Sequence, residues 1–189
     1  MCAAYHLATT RFTEGTWQEN CEYRNTKNGK VSCLYASPLM LDRRHIKSRD
    51  RVFVIEMNNS RNRIEGIGLI QNYPFIQKYR VYCNEDYNRY IFMGKYRVDR
   101  SEIVESELVD MLELLCFKGK NHYKRLRGIT RLPKNSWTSW CEENWYSELE
   151  ANNNDNQDKD EENPMKCIPN IMRMIKEEFR QKFTKLRFD

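Results

Sequence analysis

The chain has 189 residues, with 32 Lys/Arg against 27 Asp/Glu for a formal net charge of +5, and it is 40% hydrophobic and 12% aromatic. That length argues for one domain with an appendage. The absence of any run of about eighteen apolar residues argues against a membrane span, and the small net charge makes any basic surface local rather than global. The opening Met1–Leu7 has no basic stretch followed by a long apolar one, so no secretory signal is expected. The seven cysteines, an odd number, then read as reduced thiols of a cytoplasmic or nuclear protein. None of them forms a Cys-x-x-Cys pair and each His stands alone, so no metal or cofactor is expected.

Residues 4–11 alternate, with Tyr5, Leu7 and Thr9 on one face and His6, Ala8 and Thr10 on the other, and predict a first strand. Residues 13–25 are polar and predict a short helix or a loop around Trp17. Val31 to Ala36 is a second short strand, and Leu39 to Ile46 a helical turn. Two apolar, β-branched runs, 51–57 and 64–70, flank the turn cluster Asn58-Asn59-Ser60-Arg61-Asn62 and predict a hairpin. Gly66 and Gly68 lie on one face of its second strand, where they fit either a tightly curved strand or close approach by a ligand. Residues 77–83 and 89–98 read as a further strand pair. From Asp99 to Phe117 the period changes: Ile103, Val104, Leu108, Met111, Leu112 and Leu115 recur at helical steps, with Asp99 or Ser101 as the cap and Gly119 past the end.

Residues 118–134 hold seven Lys/Arg, one His and one Tyr without a single acid, interrupted by two glycines. Such a density suits a surface that meets phosphates, or a solvated basic loop. Within it, Gly128–Leu132 predicts a last strand. Residues 150–163 carry no apolar group larger than Ala and predict a flexible acidic linker. Beyond it, Ile171, Ile175, Phe179, Phe183 and Leu186 mark the stripe of a basic amphipathic helix within 164–189, docked on the core or facing a partner. The organisation expected is a domain over 1–149, the linker, and that helix, in an α+β chain.

Three quoted stretches carry a family resemblance: Tyr5-His-Leu-Ala-Thr-Thr-Arg-Phe, Val52 through Ile70 with its Ile-Gly-Ile-Gly-Leu strand, and Tyr90-Ile-Phe-Met-Gly-Lys-Tyr-Arg-Val. With the strand and helix order, they resemble the PUA-like β-barrels, especially the EVE and YTH branches, over residues 4–135. The resemblance implies a small curved mixed β-barrel with flanking helices. It also implies binding of RNA or DNA, with a modified base held in an aromatic cage. It would place Trp17 and Tyr35 at that base pocket and Thr9 and Thr10 on its rim. No tryptophan lies between 17 and 137, so the second cage tryptophan of the YTH pattern is missing. The Asn- and Tyr-rich composition resembles that of proteins from large DNA viruses.

The function expected is therefore nucleic-acid binding through an aromatic pocket and a basic groove. Lys118, Lys120, Lys124, Arg125, Arg127 and Arg131 would meet phosphates, and His122 and Tyr123 would stack on bases. The alternative is a protein-interaction factor that docks through the basic loop and the C-terminal helix. Catalysis is not expected. Asp50, Glu56 and Glu65 are available acids, but no Ser/His/Asp, Cys/His or paired-carboxylate spacing stands out, and Gly66-x-Gly68 lacks the third glycine and following helix of a phosphate cradle.

Overall fold

The computed structural model describes residues 4–26, 31–75, 79–118, 122–133 and 171–188. In chain order the elements are β1 (Tyr5–Phe12), α1 (Glu14–Asn25), β2 (Cys33–Ser37), β3 (Arg51–Asn58), β4 (Arg63–Gln71), β5 (Tyr90–Gly94), β6 (Tyr96–Asp99), α2 (Ser106–Phe117), β7 (Thr130–Arg131) and α3 (Ile171–Lys182). Short 3₁₀ turns occupy Glu85–Asn88 and Arg100–Glu102. Thr13 starts α1 with a reciprocal cap, its hydroxyl accepting from Thr16 N–H while the Thr16 hydroxyl accepts from Thr13 N–H.

Five strands form a mixed sheet in the order β6-β4-β3-β1-β7, while β2 and β5 form a separate two-stranded ribbon. β1 runs parallel to β3 in an eight-residue ladder from Tyr5↔Arg51 to Phe12↔Asn58. β3 and β4 make the expected hairpin, with a register shift after Glu56 that leaves Glu65 as the extra residue of a bulge. Both faces of the five-stranded sheet are covered. Phe53, Ile55 and Met57 meet α2 and α3 on one side, and Val52 and Val54 meet the ribbon on the other. This explains why β3 reads as a continuous apolar run rather than an alternating one.

The curved barrel expected from the resemblance is not formed: the sheet stays open, with β6 and β7 as its two edges. The physical reason lies at Lys95. The run from Tyr90 to Val98 does not make one strand but breaks there, so that β5 pairs with β2 while β6 pairs with β4. With α2 and α3 burying one face through Leu108, Met111, Leu112, Leu115, Ile171, Ile175 and Phe179, the apolar surface is satisfied by helices rather than by curling the sheet on itself.

Other expectations change locally. Residues 79–83 form no strand, because the Asn88 side chain takes their backbone groups: Oδ1 accepts from Val81 and Tyr82 N–H at 3.0 Å each, and Nδ2 donates to Tyr82 O at 2.7 Å. Within residues 39–46 the helical turn is limited to 42–46, where Ile46 N–H donates to Asp42 O at 3.0 Å. The helix expected from Asp99 is split, since Asp99 caps only the 3₁₀ turn and α2 begins at Ser106. The start of α2 has no side-chain cap of its own. Instead Glu178, buried on α3, accepts the N–H groups of Val104 (3.1 Å) and Glu105 (2.8 Å), placing a carboxylate at the positive end of that helix. The apolar stripe of α3 is thereby spent inside the core, where Phe179 meets Phe53 edge-on with ring centroids 5.0 Å apart. The linker at 150–163 and the start of the segment 164–189 lie outside the described residues. Among the described residues no helix is long and apolar enough to cross a membrane.

One polar network sits inside the core. Glu56 on β3 is fully buried, and its carboxylate receives a forked pair from the Arg97 guanidinium of β6, at 2.9 Å from Nε and 2.7 Å from Nη2. The Tyr35 hydroxyl donates to the same carboxylate at 2.7 Å. Arg97 also donates to Glu65 O and to Asp99. The two glycines of β4 make this possible. A Cβ at Gly66 would lie 2.6 Å from Arg97 Nη2, and one at Gly68 would collide with the Tyr35 hydroxyl. The small-residue face thus admits two of the chain's own side chains. Burial, reinforced by the Glu56 charge, raises the Tyr35 phenol well above its ordinary value. Burial likewise pushes the neighbouring Cys33 thiol up to about 12, so Cys33 is inert as a nucleophile.

Removing either partner strands a buried charge. Glu56→Gln or Arg97→Met should therefore lower unfolding free energy by about 3–5 kcal/mol, and Tyr35→Phe by about 1.5–3 kcal/mol, in urea melts followed by circular dichroism. A second device is pH-sensitive. Asp50 is desolvated, which alone would raise its pKa, but bonds from His6 (3.0 Å) and the N–H groups of Lys47 (2.9 Å) and Ala4 (3.3 Å) outweigh this and hold it low. A carboxyl lower in the folded than in the unfolded chain stabilises above its unfolded value, about 4, and loses that contribution as pH falls through its folded value. Asp50→Asn should therefore cost stability at pH 7, and the gap to the parent should shrink below about pH 4.

Candidate nucleic-acid interface

The basic segment runs along the edge of β1. Thr130 and Arg131 pair with Thr9 and Ala8, and Leu132 N–H donates to Leu7 O at 2.8 Å. Upstream, the carbonyl of Lys124 accepts from Arg11 Nη1 at 2.9 Å and from Asn59 Nδ2 at 3.0 Å. The segment is therefore pinned at both ends to the sheet. Between those anchors, Arg125 and Arg127 are exposed. Gly128 adopts φ +66°, a left-handed turn that fits tightly against Ser37 at the end of β2. This turn brings Arg127 beside Pro38 and Leu39.

There Arg127 joins a groove of about 870 Å³ whose walls also carry Arg80 and Arg89, with Tyr79 and Tyr87. Glu85 and Asp86 share the rim. All three arginines are exposed, and among the described residues none of them forms an ion pair. The loop that presents Arg80 and Arg89 is the one stapled by Asn88, and it is anchored below by Tyr82, whose buried hydroxyl accepts from Asn20 Nδ2 at 3.1 Å. The guanidiniums are thus held by a fixed backbone while their charges face solvent.

The other residues singled out by sequence are distributed differently. Lys124 places its ammonium 5.6 Å from the Phe117 ring centroid, and Arg131 makes a loose pair with Asp42 at 3.8 Å. Tyr123 is half-buried against α2, its N–H donating to Cys116 O at 3.1 Å, and desolvation raises its phenol pKa. His122 is half-buried with a buried Nδ1 that has no hydrogen-bond partner among the described residues. Lys118 ends α2 as its C-terminal cap residue, and Lys120 lies outside the described residues.

Of the residues placed at a base pocket, only Trp17 reaches solvent, and only in part. Thr9, Thr10 and Tyr35 are buried, and Tyr35 is committed to Glu56. Trp17 is half-buried. It meets Phe12 edge-on at 5.1 Å and carries the guanidiniums of Arg97 and Arg24 at 5.6 and 5.2 Å from its ring centroid. Trp17, Tyr35 and Thr10, the last in register with Glu56, therefore converge on the Glu56–Arg97 pair. The arginines at 80 and 89 escaped the sequence reading because a strand assignment over 77–83 and 89–98 hides which side chains share a rim. The available signal was the repeated Arg–Tyr adjacency at Tyr79-Arg80 and Arg89-Tyr90.

No family model, curated protein or solved structure matches the chain.

Proposed function

We propose that the protein binds nucleic acid, with an unpaired strand lying in the groove between the 79–89 loop and the basic segment. The observation that carries this reading is the convergence of Arg80, Arg89 and Arg127, all exposed and without ion pairs among the described residues, on one groove flanked by tyrosines. Like charges held together by a fixed backbone repel one another, and a polyanion relieves that repulsion while releasing its condensed counterions. Tyr79 and Tyr87 in the same walls offer π-faces suited to bases not already stacked in a duplex. Arg125, exposed on the same segment, extends the cationic track towards the end of β1. Such contacts position a backbone and carry little sequence preference.

The test is binding of labelled single-stranded RNA, single-stranded DNA and duplex DNA at two salt concentrations. Arg127→Glu and Arg89→Glu should each weaken binding of every single-stranded sequence. Each should also flatten the dependence of log affinity on log salt by about 0.7 per lost phosphate contact, with unchanged melting temperature. Absence of binding at low salt, or binding indifferent to both reversals, would remove this groove as the interface.

A further inference from the structure

The β2–β5 ribbon has two ends, and the Arg127 groove occupies only one of them, next to Pro38 and Arg89. At the other end, where Cys33 pairs with Gly94, lies a second groove of about 810 Å³. The two are separated by the length of the ribbon, roughly 13 Å for five residues at strand rise, so they are distinct places on the molecule.

The chemistry of this second groove differs. Its walls bring together Arg51, Lys95, Lys185 and Arg187, with no carboxylate among the lining residues. Arg51 is held in place rather than swinging in solvent: its guanidinium donates to the Tyr5 hydroxyl and, at 3.2 Å, to the Arg187 carbonyl. Lys176 of α3 adds charge alongside, its ammonium 4.5 and 5.9 Å from the ring centroids of Tyr5 and Phe188, while Arg180, 5.4 Å from Phe188, is paired with Glu177. The floor and opposite wall are apolar. Phe75 is 45% exposed although its backbone is tied down by an N–H bond to Ile91 O at 2.8 Å, and Met93 and Val31 lie half-buried beside it. The groove thus combines an exposed ring on a pinned backbone with four cations, a lining complementary to a ligand that is apolar at one end and anionic at the other.

We propose that this groove binds a small phosphate-bearing ligand with an aromatic body, of the nucleoside phosphate class. The volume falls in the range of small-molecule sites, about 300–1,000 Å³. A phosphate group brings up to two negative charges and three acceptor oxygens to a cluster of four cations that have no ion pair among the described residues, whereas a monocarboxylate brings only one charge. Phe75 supplies the face on which a flat base can stack. The prefixed Arg51 fork lowers the ordering cost of capturing the phosphate.

The experiment is calorimetric titration of the full chain with AMP, ATP, inorganic phosphate and oleate. Nucleotides should bind, ATP more tightly than AMP. Lys95→Glu combined with Lys185→Glu should weaken nucleotide binding tenfold or more; both side chains are exposed, and the milder Lys95→Gln/Lys185→Gln pair gives the same direction should the reversal fold poorly. Phe75→Ala should weaken nucleotide binding several-fold and leave inorganic phosphate unaffected. Arg127→Glu should weaken strand binding in the first groove without moving nucleotide affinity, so that the two readings fail separately. No heat at millimolar nucleotide, affinity unchanged by both lysine pairs, or oleate bound in preference to nucleotides would overturn the proposal.

Discussion

The rest of the structure is arranged around one buried carboxylate. Glu56 sits in the middle of the most apolar strand, where an uncompensated charge would be prohibitive. It is tolerated because Arg97 reaches it with a two-pronged hydrogen-bonded contact and Tyr35 supplies a further donor. Each of these groups belongs to a different element, so the network ties β3 of the main sheet to β6 at its edge and to β2 of the ribbon. Around it, Gly66 and Gly68 provide clearance, and Trp17 closes one side by lying against the Arg97 guanidinium. Such a network is weak evidence for net stability, but removing either partner leaves the other charge buried and uncompensated.

That arrangement has a consequence for function. Trp17 and Tyr35 are engaged by the buried pair, and the two grooves proposed for ligands lie at the ends of the ribbon. Each end presents cations without enough nearby acid to neutralise them, one flanked by tyrosines and the 79–89 loop, the other by Phe75 and the C-terminal tail. α3 matters to both halves of this picture. Its apolar stripe and Glu178 complete the core beneath the sheet, and the residues just after it, Lys185 to Arg187, furnish part of the second groove. Lys182 reinforces the link by donating to Arg97 O at 2.8 Å.

Much of the fold was legible from periodicity. The first strand lies where alternation puts it, the hairpin at 51–70 where two apolar runs flank a turn cluster, and the helices ending at Phe117 and starting at Ile171 where helical spacing does, although the last helix stops at Lys182, before Phe183 and Leu186 of the expected stripe. The failures share a cause. Residues 77–83 look extended, but Asn88, a side chain several residues away, captures their backbone groups. The run 89–98 looks like one strand, yet it serves two sheets. Curvature was inferred from Gly66 and Gly68, whereas those glycines make room for Arg97 and Tyr35. In the candidate site, the basic segment was conspicuous as composition, but Arg80 and Arg89 were not, because nothing local says which arginines a loop will turn towards Arg127.

By itself, the order of residues determined what depends on neighbours within a turn or two: strand and helix character, the hairpin, the dense cationic stretch, and the apolar stripe of the final helix. The tertiary structure alone decided whether the sheet would close, which partner Glu56 would find 41 residues away at Arg97, and where the unpaired cations would gather. The reason is physical. Backbone propensity and apolar periodicity act over a few residues, whereas desolvation of a charge and repulsion between charges depend on what is close in space, which only the folded chain defines.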